Sequence, residues 1–305
     1  MAPLEAGLSF THNLAMQLSG KIPFRGYETY YQIVNPEGKK TPIIILHGGP
    51  GGTHTKMRAI DPLGKLSDRM LIFYDHLGGK LSPVPEGNKE LWKMETWMDE
   101  LENLRSYFGL EKAILLGHSF GGMLTIATNI ERKPDWVVGN VLSSTLSSAR
   151  TWHEEALRLI GQLPKKEQKA LISGMEKGDY QSKEFLSAAA SYMRHYVRAN
   201  YRLKPGKGLG VNEAYMTGWG PCEFFPTGTL KDYEYTDRLG EIKVPTLLIH
   251  GSLDESTPYQ NKLMLDKLSC PKKWAMLPGA HHACYEEMSE LYCQEVASFL
   301  REMGL

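Results

Sequence analysis

The chain has 305 residues, 42% of them hydrophobic and 10% aromatic, enough for a large core and more than one minimal core requires. Lys plus Arg and Asp plus Glu both number 35, so no net field draws the protein to nucleic acid or to an anionic membrane, and neither is expected as a partner. The four cysteines, Cys222, Cys270, Cys284 and Cys293, form no C-x-x-C pair and no cluster with His at ligand spacing, so they read as free thiols in a reducing compartment, with no metal site.

The opening MAPLEAGLSFTHNLAMQL lacks a basic region ahead of an apolar one, and Glu5 and His12 interrupt it, so no secretory leader is expected. No apolar run approaches the ~20 residues of a membrane span, and the closing REMGL matches no retention or peroxisomal signal. These readings point to a cytoplasmic protein.

The stretch IPFRGYETYYQIVNPEGKK alternates at Tyr27, Thr29, Tyr31 and Ile33 and then turns at Pro-Glu-Gly-Lys, which predicts an antiparallel hairpin at a sheet edge. Four short β-rich runs follow, at 41–48, 69–75, 112–117 and 136–144, with helical stretches among them. Each ends in Gly, Asp or Ser, as strands buried on both faces do when loops leave their carboxyl ends. From Ser148 to about Glu223 the pattern changes to apolar residues at three- and four-residue spacing with charges between them, in WHEEALRLIGQL, KKEQKALISGMEKG and SKEFLSAAASYMRHYVRANY. Two more strand-like runs, at 243–251 and 272–279, close the pattern. The expectation is an α/β fold, a mostly parallel central sheet with helices on both faces, whose core spans 1–147 and 224–305. A helical cap, 148–223, is inserted over the sheet's carboxyl edge.

Within this frame LLGHSFGG (115–122) places a G-x-S-x-G between a strand and a helix, so that Ser119 sits on a sharp turn with its hydroxyl above the sheet. A serine hydroxyl is a weak nucleophile at neutral pH and needs a base and an orienting acid. Asp254 stands on the loop after the run at 243–251, and His281 and His282 stand on the loop after the run at 272–279, giving the order Ser, Asp, His at three strand ends. Periodicity does not choose between the two histidines, because neighbours on a loop point in unrelated directions. The glycine-rich HGGPGG (47–52) supplies backbone amides for an oxyanion, with the Phe120 amide as the second donor.

Together HGGPGG, YDHLGGKLS, GHSFGG, RHYVR, GPCEF, GSLDESTP and GAHHACYEE resemble the proline iminopeptidases and related amino-acid amidases of the α/β-hydrolase superfamily, over nearly the whole chain. The resemblance implies an α/β-hydrolase fold and a serine hydrolase without cofactor or metal. Such an enzyme releases an N-terminal residue, proline among them, from short peptides or amino-acid amides. It implies Ser119, Asp254 and His282 as the triad, with Glu287 as the downstream acid and His281 as the neighbour, and Gly49 and Phe120 at the oxyanion hole. It also implies Glu223 and Glu255 as anchors for a free amine, which is largely cationic at neutral pH. The sequence departs from the family at His76, Lys80 and Phe120, positions that bear on substrate shape. Two other functions fit the same fold: an ester or lactone hydrolase or acyl transferase using the triad without an amine, and a non-hydrolytic small-molecule receptor.

Overall fold

The computed structural model describes residues 18–203 and 212–305. The opening segment read as lacking a leader, and residues 204–211 of the expected cap, lie outside them.

Eight strands form one sheet: β1 (Ser19–Phe24), β2 (Tyr27–Val34), β3 (Lys40–Leu46), β4 (Arg69–Tyr74), β5 (Ala113–His118), β6 (Val137–Ser143), β7 (Thr246–Gly251) and β8 (Lys272–Leu277). Their order is β1-β2-β4-β3-β5-β6-β7-β8, with β1 and β2 antiparallel at one edge and β4 through β8 parallel. Each β-rich run of the sequence is a strand. The edge hairpin is present, but its turn is Arg25-Gly26, both at positive φ (50° and 83°), which suits a tight two-residue connection. The Pro-Glu-Gly-Lys turn instead links β2 to β3.

Helices α1 (Pro62–Ser67), α2 (Met94–Tyr107) and α3 (Phe120–Ala127) belong to the first half of the sheet, and α8 (Pro258–Lys267), α9 (Cys284–Glu287) and α10 (Ser289–Glu302) to the second. The two-residue period of the strands sorts the core into two layers. Ile44, Leu46, Ile72 and Leu115 pack with Trp97 and Leu101 of α2 and Met123 of α3. Their sequence neighbours Ile43, Ile45, Leu71 and Ile114 pack with Leu63 of α1 and Val296 and Phe299 of α10. Runs of consecutive apolar residues are therefore required here, since both faces of the strand are covered.

Between β6 and β7 lie α4 (Ala149–Ile160), α5 (Lys165–Lys177), α6 (Lys183–Tyr196) and α7 (Glu213–Gly218). Ser148 opens this segment by accepting the Thr151 amide at the head of α4. The segment has its own apolar centre, in which Leu159, Leu171, Phe185, Tyr192 and Phe224 meet. Its ends pair: Ser148 bridges Glu234, and the Tyr235 amide donates to Ser147 O at 2.7 Å. The return to the sheet thus lies near Glu234 rather than at Glu223, because residues after α7 have no regular period by which a sequence reading could follow them.

The chain passes from β3 outward to β4 and then back across β3 to β5, so the strand order reverses between β3 and β5. Such a reversal opens a crevice beyond the carboxyl ends of the two strands. Leu46 pairs with Gly117, which sets the ends of β3 and β5 level and brings the glycine loop beside the serine turn.

Candidate active site

Ser119 holds φ 54° and ψ −120°, a conformation rare for a residue with a side chain, and it sits at the junction of β5 and α3. The turn closes because the flanking glycines let backbones touch: a Cβ on Gly121 would lie 2.0 Å from Leu46 O. Thr145, after β6, donates its hydroxyl to Ser119 O at 2.7 Å and braces the turn from below. The glycine loop lies against the serine, since a Cβ on Gly48 would be 3.2 Å from Ser119 Cβ and 3.6 Å from its Oγ. Gly49 follows at φ 140°, a value that favours glycine, and Phe120 begins α3. Gly49 lines the cavity with Ser119, and Phe120 follows the serine directly in the chain.

Asp254 is buried on the loop after β7, where Oδ1 accepts the Ser256 amide and lies 2.7 Å from His282 Nδ1. The histidine's ring N–H donates there, which leaves Nε2 for the cavity. His281 takes a different partner, its backbone N and Nδ1 lying 2.8 and 3.0 Å from Glu287 Oε2. Geometry therefore separates the two histidines that the sequence left adjacent. Ser256 ties the acid loop back to the serine side by donating to Thr145 O at 2.6 Å.

A cavity of about 570 Å³ opens over this edge, lined by Ser119, His282, the glycine loop, Glu223 and Glu255. The volume suits a small ligand. Glu255 is 2% exposed, and neither of its oxygens has a hydrogen-bond partner among the described residues. Its Oε1 is 3.9 Å from His282 Nδ1. Burial, then the charges of Glu223 and Asp254, raise its pKa well above the usual carboxylate range, while the nearby Tyr192 hydroxyl acts the other way. Glu223 enters from the segment after α7 and accepts the Tyr215 hydroxyl at 2.6 Å. The indole N–H groups of Trp152 and Trp219 both donate to its backbone oxygen at 3.0 Å, which fixes its position. His118, beside the serine, is held neutral first by burial and then by His282.

Residues 41–288 match the alpha/beta hydrolase fold family. The chain is 42% identical over 289 residues to a proline iminopeptidase of Clostridioides difficile (strain 630), a match covering 92% of this chain and 97% of that protein. A proline iminopeptidase of Lactobacillus helveticus is 41% identical over 279 residues, covering 90% of this chain and 95% of the relative. The crystal structure of Mycobacterium smegmatis proline iminopeptidase superposes with a TM-score of 0.83 at 31% identity, covering 93% of this chain and 98% of that one. The chain belongs to the proline iminopeptidase family.

Several features of this family member escaped the sequence reading. The end of α6 is bonded directly to the loops that carry Asp254 and His282: Tyr196 O accepts the amides of Glu255 (3.2 Å) and His282 (3.1 Å), and Val197 O accepts that of Ala283 (3.0 Å). RHYVR marked this stretch only as a resemblance, and backbone bonds leave no signature in residue type. Behind the glycine loop, buried Asp75 accepts the backbone N–H of His54, its Nδ1–H and the Leu81 amide. Burial opposes ionisation of Asp75, but these bonds prevail and bring its pKa down to about 2. Among the described residues no three His, Cys, Asp or Glu side chains converge as a metal site would need. None of the described helices is long and apolar enough to cross a membrane.

Proposed function

We propose that this protein is a serine aminopeptidase that cleaves the amide after a free N-terminal residue, proline foremost, in short peptides or amino-acid amides. Ser119 Oγ attacks the carbonyl while His282 Nε2 takes its proton. The tetrahedral oxyanion receives the Gly49 and Phe120 amides, and Asp254 holds the imidazole in the tautomer that accepts a proton at Nε2. His282 then returns the proton to the leaving amine, the C–N bond breaks, and an acyl-enzyme ester remains on Ser119. Water, deprotonated by the same imidazole, hydrolyses the ester and restores the serine. The helical segment over the sheet edge acts as a cap that restricts access to small substrates.

The observation that carries this reading is Glu255: a buried carboxylate with only the nearby Tyr192 hydroxyl as a donor, beside the triad histidine and lining a cavity shared with Glu223. An ester hydrolase has no use for such a group, whereas a substrate ammonium would supply the missing donors. The relatives named proline iminopeptidase support the same conclusion. Turnover of prolyl, alanyl and leucyl anilides beside simple esters, with fluorophosphonate labelling mapped to a peptide, tests it. Anilides should be cleaved and Ser119 labelled. Cleavage of esters alone, or a probe that leaves Ser119 unmodified, contradicts it.

A further inference from the structure

Acids and cations line the same cavity from different elements. Glu223 comes from the cap segment and Glu255 from the acid loop, whereas Lys56 follows the glycine loop and Lys80 follows β4. Lys56 lies in the short helical turn that follows the loop. Lys80 belongs to the segment after β4, whose backbone is stitched to the loop by Lys80 N–H donating to Gly52 O at 3.4 Å. Both lysines are exposed. Lys80 has no ion-pair partner among the described residues. The third cation on the cavity wall, Arg198, is occupied differently: its two terminal nitrogens meet the Glu286 carboxylate at 2.8 and 2.7 Å. The field of Lys56 reaches the chemistry, for after burial and His282 it is the next influence keeping His118 neutral.

We propose that Lys80, which lines the same cavity as Lys56, receives a carboxylate carried by the leaving part of the substrate, so that dipeptides with a free C-terminus are preferred over amides and anilides. The inference rests on the aminopeptidase reading, which places the ammonium of the N-terminal residue on Glu223 and Glu255. The leaving residue then extends away from those acids, and in a dipeptide its α-carboxylate follows the scissile bond closely. Charges of both signs lining one small cavity match a zwitterion and penalise a substrate lacking either charge. The same lysines would also accept an acidic side chain on the leaving residue. The α-carboxylate is the source argued here, because a cavity of about 570 Å³ suits a small ligand.

The test compares kcat/KM for prolylalanine, prolylalaninamide and the α-amide of prolylaspartic acid, in the parent, Lys80→Met and Lys80→Arg. The parent should favour prolylalanine over its amide by about two- to fivefold, the scale of partly exposed ion pairs. Lys80→Met should bring that ratio close to one, Lys80→Arg should restore it, and 1 M salt should shrink it in the parent. A parent ratio near one, or a ratio that Lys80→Met leaves intact, overturns the proposal. An advantage for the aspartyl amide without one for prolylalanine also overturns it, in favour of acidic side chains. Cleavage of prolylalaninamide without any advantage for the acid sinks the carboxylate recognition alone. Failure to cleave any of the three sinks the aminopeptidase reading and the inference with it.

Discussion

Glu100 and Glu255 are both carboxylates withdrawn from water, but their surroundings differ. Glu100, on α2, accepts the Thr29 hydroxyl and, with both oxygens, the Leu77 amide at 3.0 and 3.1 Å. Burial still pushes its pKa up to about 8 against those bonds. Glu255 has only the nearby Tyr192 hydroxyl and lines the cavity. The first carboxylate fastens α2 to β2 and to the loop after β4. The second leaves hydrogen-bonding capacity unused, a cost that a fold retains where a ligand completes the bonds. Satisfaction of a buried acid, rather than burial itself, thus separates Glu100 from Glu255.

The contrast can be broken at several points, beginning with the chemistry beside Glu255. Ser119→Ala should lower kcat by about 10⁴- to 10⁶-fold with an unchanged melting temperature, measured on prolyl anilide beside a thermal scan. A residual rate within tenfold of the parent would remove the serine from the mechanism. Glu255→Gln should lower kcat/KM for free-amine substrates by about 10²- to 10³-fold, since it leaves an ammonium with half its partners, and should not lower stability.

Glu100→Leu should do the reverse. It strands the Thr29 hydroxyl and the Leu77 amide and should cost about 2–4 kcal/mol in urea unfolding, with kcat per folded molecule within a few-fold of the parent. If Glu100→Leu proved neutral to stability while Glu255→Gln unfolded the chain, the two roles would be exchanged.

A smaller effect separates the pair by pH. The Glu255 side chain ionises near ~4.3 in the unfolded chain. In the folded protein its pKa is raised. Between those two values the folded protein holds a proton that the unfolded chain has released, so stability falls as pH rises, by at most about 1.4 kcal/mol per pH unit. Glu255→Gln removes that slope: its advantage over the parent should be absent near pH 4 and grow toward neutral pH in urea titrations. Parallel stability curves would mean that Glu255 ionises alike in both states. Smallest of all, Tyr215→Phe removes one hydrogen bond from Glu223 and should raise KM for free-amine substrates about three- to tenfold.

Much of this was legible in the chain. Strands buried on both faces cannot avoid consecutive apolar residues, and so 41–48, 69–75 and 112–117 stood out, with the serine turn following the last. The order of serine, acid and histidine was readable because each follows a strand end. The choice between His281 and His282 came from resemblance, since only the three-dimensional path of the loop gives Asp254 to one and Glu287 to the other. Glu100 left a fainter mark. It shares an apolar stripe with Trp97, Leu101 and Leu104, whereas Glu95 and Glu102 on the same helix are exposed. Lys56 carried no mark and Lys80 stood out only as a departure from the family, because exposed lysines on separate loops come to line one cavity only after the sheet has brought those loops together.

The account turns on Glu255 reading a free amine, and the most direct measurement is the ratio of kcat/KM for prolyl anilide over its N-acetyl derivative, in the parent and in Glu255→Gln. The parent should favour the free amine by at least about 10²-fold, and the variant should lose most of that preference by turning over the free substrate more slowly. Equal turnover of free and acetylated substrates by the parent, or an unchanged ratio in Glu255→Gln, would contradict it.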